Sequence, residues 1–177
     1  MKLVAPNAGR NRVMEYLRLL IDEELTRLPD HPTAAQMEKL LRYDDFHAIK
    51  DAKKLQTIAD GPSDLIVPGP KALRAHHIIP EYVQTKLSAL GVDVGNMNKT
   101  PVKVFTDEAH FGAGQDSLHK KMNAWGEGAL SPAKVAQSAD KTELIDNLIT
   151  FYKQSNHEDM AKVVRGWARQ RSIPYTL

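Results

Sequence analysis

The chain has 177 residues, 42% hydrophobic and 26% charged, a balance that can bury a core and argues against a disordered or fibrous protein. It has no cysteine, which excludes disulfides, thiolate zinc sites, iron–sulfur clusters and cysteine nucleophiles, so any metal must be held by His, Asp, Glu, Asn or water. The net charge of +2 permits a nucleic-acid partner without demanding one, and no run nears the roughly 18 apolar residues of a membrane span or a signal peptide's apolar stretch, so no membrane segment and no Sec address are expected.

Val13, Leu17, Leu20, Ile21, Leu25 and Leu28 recur at the helical period, which predicts an amphipathic helix from Arg10 to Leu28. Pro29-Asp30-His31-Pro32 breaks it, and Thr33 with Gln36 reads as a capping box opening a short helix through Leu41. A third helix is predicted from Asp44 or Asp45 to Asp60, stopped by Gly61-Pro62. Residues 61–70 then form a linker, with a second break at Pro68-Gly69-Pro70.

From Lys71 an extended run leads into His76-His77, and Pro80 stands where a helical turn can begin. Val83, Leu87 and Leu90 share a face of that helix, and Gly91 is its stop. Val92 to Thr100 reads as a loop, Pro101 to Phe105 alternates like a short strand, and Gly112-Ala113-Gly114 reads as flexible. Leu118, Met122 and Trp125 fit one face of a helix over about Gln115 to Gly126. Two more helices are predicted, one opened by Ser131-Pro132 or by the Asp140/Glu143 pair, the other spanning about His157 to Arg171. Trp125 and Trp167 fall in apolar helical patterns that suit a core better than base stacking.

Four of the seven histidines, His76, His77, His110 and His119, fall between residues 76 and 119. An adjacent pair alone can arise by chance, so its context carries the argument. On an extended segment His76 and His77 point in opposite directions, one free to face a metal and the other a substrate. The strand at Pro101–Phe105 can pair with the first, and the following helix brings His119 back toward the pair. Imidazoles converging on a strand–strand–helix unit form a workable one-metal hydrolytic site. Phosphodiester cleavage needs a cation to neutralise the charge that builds on the phosphate, and a base to take a proton from water. Neutral imidazole serves both tasks at physiological pH. The base needs a partner on its other ring nitrogen to orient it, for which Asn96, Asn98 or a backbone carbonyl is at hand. Lys162, Arg165 and Arg169 share a face of the last helix, which is either a solvated basic face or a track for DNA phosphates.

Arg74-Ala75-His76-His77-Ile78-Ile79-Pro80, the turn at Asn98, Phe105-Thr106-Asp107-Glu108-Ala109-His110 and Leu118-His119 together resemble the His-Asn-His/endonuclease VII superfamily. More narrowly they resemble its Ala-His-His nuclease domains, found as C-terminal modules of bacterial polymorphic toxins. The resemblance covers about Lys71 to Trp125. It implies an α+β fold, predominantly helical, with an embedded ββα-metal (His-Me finger) motif. From the helices read on either side, residues 1–70 are expected to be an N-terminal helical region, 71–126 the nuclease centre and 127–177 C-terminal helices, together one folding unit. It further implies His76 and His119 as metal ligands, His77 as general base and Asn98 as its orienter. His110 would be a third ligand or a phosphate contact. The implied cofactor is one divalent ion, with Mg²⁺ expected and Zn²⁺, Ni²⁺ or Mn²⁺ acceptable to imidazole. The implied function is a metal-dependent endonuclease acting on DNA. As a toxin it would be delivered from a producing bacterium into the target-cell cytoplasm and neutralised by a cognate immunity protein. The rival readings are an RNase of the same fold and a non-catalytic nucleic-acid-binding module with a structural metal.

Overall fold

The computed structural model describes residues 8–51, 73–106, 109–110 and 117–176. The linker expected at 61–70, the end of the third helix beyond Asp51, Asp107, Glu108 and the Gly112-Ala113-Gly114 segment lie outside those residues.

The first helix, α1 (Ala8–Thr26), buries Ile21 and Leu25 of the expected stripe together with Met14, and packs Leu17 against the core, whereas Leu20 is exposed. After the Pro-rich break, α2 (Ala34–Glu38) opens on the capping box read from Thr33 and Gln36. Gln36 N–H donates to Thr33 Oγ1 and Thr33 N–H donates to Gln36 Oε1. The third helix, α3 (Tyr43–Asp51), starts one residue before the first acidic residue that suggested it. Asp44 and Asp45 occupy its first turn, where carboxylates are favoured by the helix dipole.

Strands β1 (Leu73–His77) and β2 (Val102–Thr106) form a two-stranded antiparallel sheet, with His77 opposite Val102 and His76 opposite Lys103. Between them lie α4 (Glu81–Ala89) and a 3-10 turn at Met97–Lys99. The helix ends as read, with Gly91 at φ 83°, a left-handed conformation that glycine adopts without strain. Beyond β2 a helical turn at 109–110 carries His110, and α5 (Leu118–Ala124) carries His119. Two helices were expected after Gly126, but three are present: α6 (Pro132–Gln137), α7 (Lys141–Gln154) and α8 (Glu158–Gln170). Both start signals operate. Ser131 accepts from Lys134 N–H at the first, and Asp140 accepts from Thr142 and Glu143 N–H at the second.

Helices α7 and α8 form a hairpin whose turn is closed by the His157 N–H donating to the Tyr152 carbonyl. Their inner faces supply Leu144, Ile145, Leu148, Ile149, Tyr152, Val163, Val164 and Trp167, all essentially without solvent exposure. Trp167 is core, as its apolar pattern suggested, whereas Trp125 is half-buried and packs edge-on to Phe151. A continuous cluster joins these residues to α1, the sheet and α4, so the regions assigned to the N-terminus, centre and C-terminus share one core. Lys103 of β2 ties the layers together through an ion pair with Asp159 of α8 and a 3.8 Å approach to Asp22 of α1. No helix among the described residues is long and apolar enough to cross a membrane.

Candidate metal centre

The Ile-Ile-Pro that follows the histidine pair locks the end of β1. Ile78 and Ile79 are fully buried. Ile78 N–H donates to the Pro101 carbonyl at 3.2 Å, and Gln84 Nε2 donates to the Ile79 carbonyl at 2.7 Å. With the strand end fixed on both sides, the alternation of side chains sends the two imidazoles apart.

His76 faces α5 and α7. Its Nδ1 lies 3.0 Å from His110 Nε2, and His119 Nε2 lies 2.9 Å from the same His110 atom. The three residues offer ligand nitrogens all within 4.8 Å of one another, a group that can hold a metal ion. A ring nitrogen carries either one proton or one lone pair, so His110 Nε2 cannot make a full hydrogen bond of each kind to both neighbours. One cation accepting three lone pairs resolves that conflict. His110 Nε2 stands 3.0 Å and 2.9 Å from its two neighbours, the separation of two ligands at right angles with metal–nitrogen bonds of about 2.1 Å. Burial, then the neighbouring His110 and His119, hold the His76 imidazole well below its ordinary pKa, and burial lowers His119 in the same direction. Both are therefore neutral near pH 7, the form a metal requires.

His76 also has a partner on its far side. Its Nε2 lies 3.1 Å from the Tyr152 hydroxyl, which donates to the Ile78 carbonyl at 2.7 Å. Burial raises the Tyr152 pKa well above the ordinary value, so the hydroxyl keeps its proton.

His77, on the opposite side of the strand, stacks on Tyr43 with ring centroids 4.0 Å apart. Tyr43 in turn lies against His47. The His77 Nε2 is 3.7 Å from Glu81 Oε1, near enough for attraction and too long for a hydrogen bond. Burial lowers the His77 pKa, with Glu81 opposing and His47 reinforcing the shift, leaving a neutral imidazole at neutral pH. A pocket of about 300 Å³ is lined by Tyr43, His47, Arg74, His76, His77, Glu81, His110 and His119, so both faces of the pair reach one cavity.

The structure brings His76, His110 and His119 from the sequence reading into one group that could hold a metal ion, and His77 lines the same pocket. It does not bring in the others. Asn98 sits exposed on the 3-10 turn, where its N–H donates to Asn96 Oδ1, and neither asparagine lines the pocket. Lys162 Nζ donates to the Leu28 carbonyl, and Arg165 is buried against Glu158 and the Asp30 carbonyl. Both cations hold the chain that follows α1, leaving Arg169 exposed on the outer surface. The stripe thus splits into two anchors and one surface cation, because the helix face that looked basic in sequence is turned to the segment that follows α1. Tyr152, Tyr43 and His47 were not foreseen. Tyr152 is 76 residues from His76 and sits in an apolar helical pattern that reads as core. Glu81, four residues after His77, was the one neighbour that spacing alone could have nominated.

Comparison of the chain with protein-family models, curated proteins and solved structures returned no match.

Proposed function

We propose that the chain is a metal-dependent endonuclease that hydrolyses DNA phosphodiester bonds through a ββα-metal (His-Me finger) centre. The observation that carries this reading is the division of labour on β1. His76 joins His110 and His119 in a group fit for a cation, while His77, neutral and not part of that group, opens into the same pocket from the opposite face of the strand. When bound, the ion supplies charge neutralisation at the phosphate and at the departing 3′ oxygen. His77 takes a proton from the attacking water as the new oxygen–phosphorus bond forms and the bond to the 3′ oxygen breaks, the leaving oxygen being protonated from solvent. Glu81 stabilises the imidazolium so formed, and Tyr43 holds the ring in plane.

Three imidazoles shift the preferred ion from Mg²⁺, which favours oxygen ligands and keeps its waters, toward Zn²⁺, Ni²⁺ or Mn²⁺. The test is plasmid cleavage by purified protein supplied with each ion. Wild type is expected to cut, and His77→Ala to lose about 10²-fold or more in rate while still binding the ion. Equal cutting by His77→Ala would remove the base assignment, and no cutting by metal-loaded wild type would remove the nuclease reading. RNA offered in the same assay decides between the two nucleic acids.

The toxin role, with a cognate immunity protein and action in a target-cell cytoplasm, is proposed on the motif's resemblance alone. Expression without a partner in a bacterial host is expected to arrest growth and degrade the chromosome. Healthy cells with intact DNA would count against it.

A further inference from the structure

We infer that Tyr152 is a positioning residue that fixes the tautomer of His76 and makes Nδ1 its metal-binding atom. This inference rests on the metal centre of the nuclease reading and adds a residue from α7, outside the strand–strand–helix unit.

Tyr152 is fully buried and His76 nearly so, so neither side of their contact is served by solvent. The phenol has one proton. The Ile78 carbonyl, 2.7 Å from the hydroxyl, can only accept, so that proton lies on the bond to Ile78. The oxygen that remains facing His76 Nε2, at 3.1 Å, offers a lone pair. It is satisfied only if Nε2 carries the imidazole's proton. A neutral imidazole has just one, and the Nδ1 lone pair is thereby aimed at the cluster with His110 and His119. Outer partners of this kind orient a ligand and raise its basicity. The same hydroxyl fastens the residue that follows β1, so ligand direction and strand end are set by one group.

The experiment needs no substrate. Long-range ¹H–¹⁵N NMR on the metal-free chain is expected to show His76 protonated at Nε2 and bare at Nδ1, and Zn²⁺ or Ni²⁺ is expected to perturb Nδ1. Titration calorimetry with the same ions is expected to give Tyr152→Phe an affinity about 10- to 100-fold below wild type, the usual cost of losing such a partner. His76 in that variant should shift toward the Nδ1-protonated form. A wild-type proton on Nδ1, metal perturbation at Nε2, or unchanged metal affinity in Tyr152→Phe would each overturn the inference. If Tyr152→Phe does not fold, the wild-type spectra decide alone. Failure of metal-loaded wild type to cut DNA would sink the nuclease reading and leave this assignment standing.

Discussion

At Gly166, on the inner face of α8, a Cβ would stand 2.6 Å from Met37 Sδ and 3.3 Å from Pro32 Cβ. Alanine improves helix propensity by about 1 kcal/mol, while overpacking a filled core costs about 1–3 kcal/mol. Met37 is itself buried, so its sulfur cannot swing into solvent, and the steric cost wins. Gly166→Ala is expected to lose about 1 kcal/mol in urea unfolding, and a gain in stability would show that Met37 repacks freely. Arg165 poses the opposite problem, a buried cation held by Glu158 and the Asp30 carbonyl. Arg165→Ala is expected to cost about 2–3 kcal/mol, since hydrogen bonds to charged groups are among the stronger ones. Arg169→Ala, at an exposed position, is expected to stay within about 0.5 kcal/mol of wild type. Equal losses for the two would mean that the anchoring of the segment after α1 through Arg165 carries no energy.

At the scale of elements, the sequence was informative wherever a signal is local. The Thr33/Gln36 box, the Ser131 and Asp140 caps, the Gly91 stop and the apolar face of α1 depend on residues within a turn or two of one another. Convergence of His76, His110 and His119 was also within reach, because strand alternation and a returning helix are both periodic arguments. The support of the site was not. Tyr152 meets His76 only because α7 brings its side chain to β1, and Tyr43 meets His77 only because α3 packs against β1. No spacing encodes those meetings. The same limit misplaced the basic stripe, since periodicity shows that Lys162 and Arg165 share a face but not that the segment after α1 lies against it. The local signals carry energy in proportion. Asp140 accepts from two N–H groups at the start of α7, and Asp140→Ala is expected to cost about 1 kcal/mol. Its Zn²⁺ affinity by calorimetry should match wild type, because Tyr152 lies three turns along a helix held by its buried face.

For the whole molecule the same histidines link folding, protons and metal. His76, His77, His119 and His157 all have pKa values lowered by burial in the folded chain. In the unfolded chain they titrate near the ordinary value of about 6.5. Above that pH both states are neutral and the shifts cost nothing. Below it the unfolded chain binds protons that the folded chain refuses, so stability falls with falling pH until the folded pKa values are reached. For His76, nearly inaccessible to solvent, one excluded proton corresponds to about 1.4 kcal/mol for each pH unit across that window. Urea unfolding of the metal-free chain should accordingly be flat between pH 8 and pH 7 and weaken steadily below about pH 6.5. A divalent ion that binds only the folded chain adds about 2.7 kcal/mol at a hundred times its dissociation constant. Protons and the ion compete for the same nitrogens, so that increment should be full near pH 8 and shrink as the solution is acidified. A metal increment that did not change between pH 8 and pH 5 would mean that the ion sits on carboxylates or backbone oxygens rather than on His76, His110 and His119. Metal-free stability that rose on acidification would mean that the histidines are charged in the folded chain, and a base at His77 would then be unavailable near neutral pH.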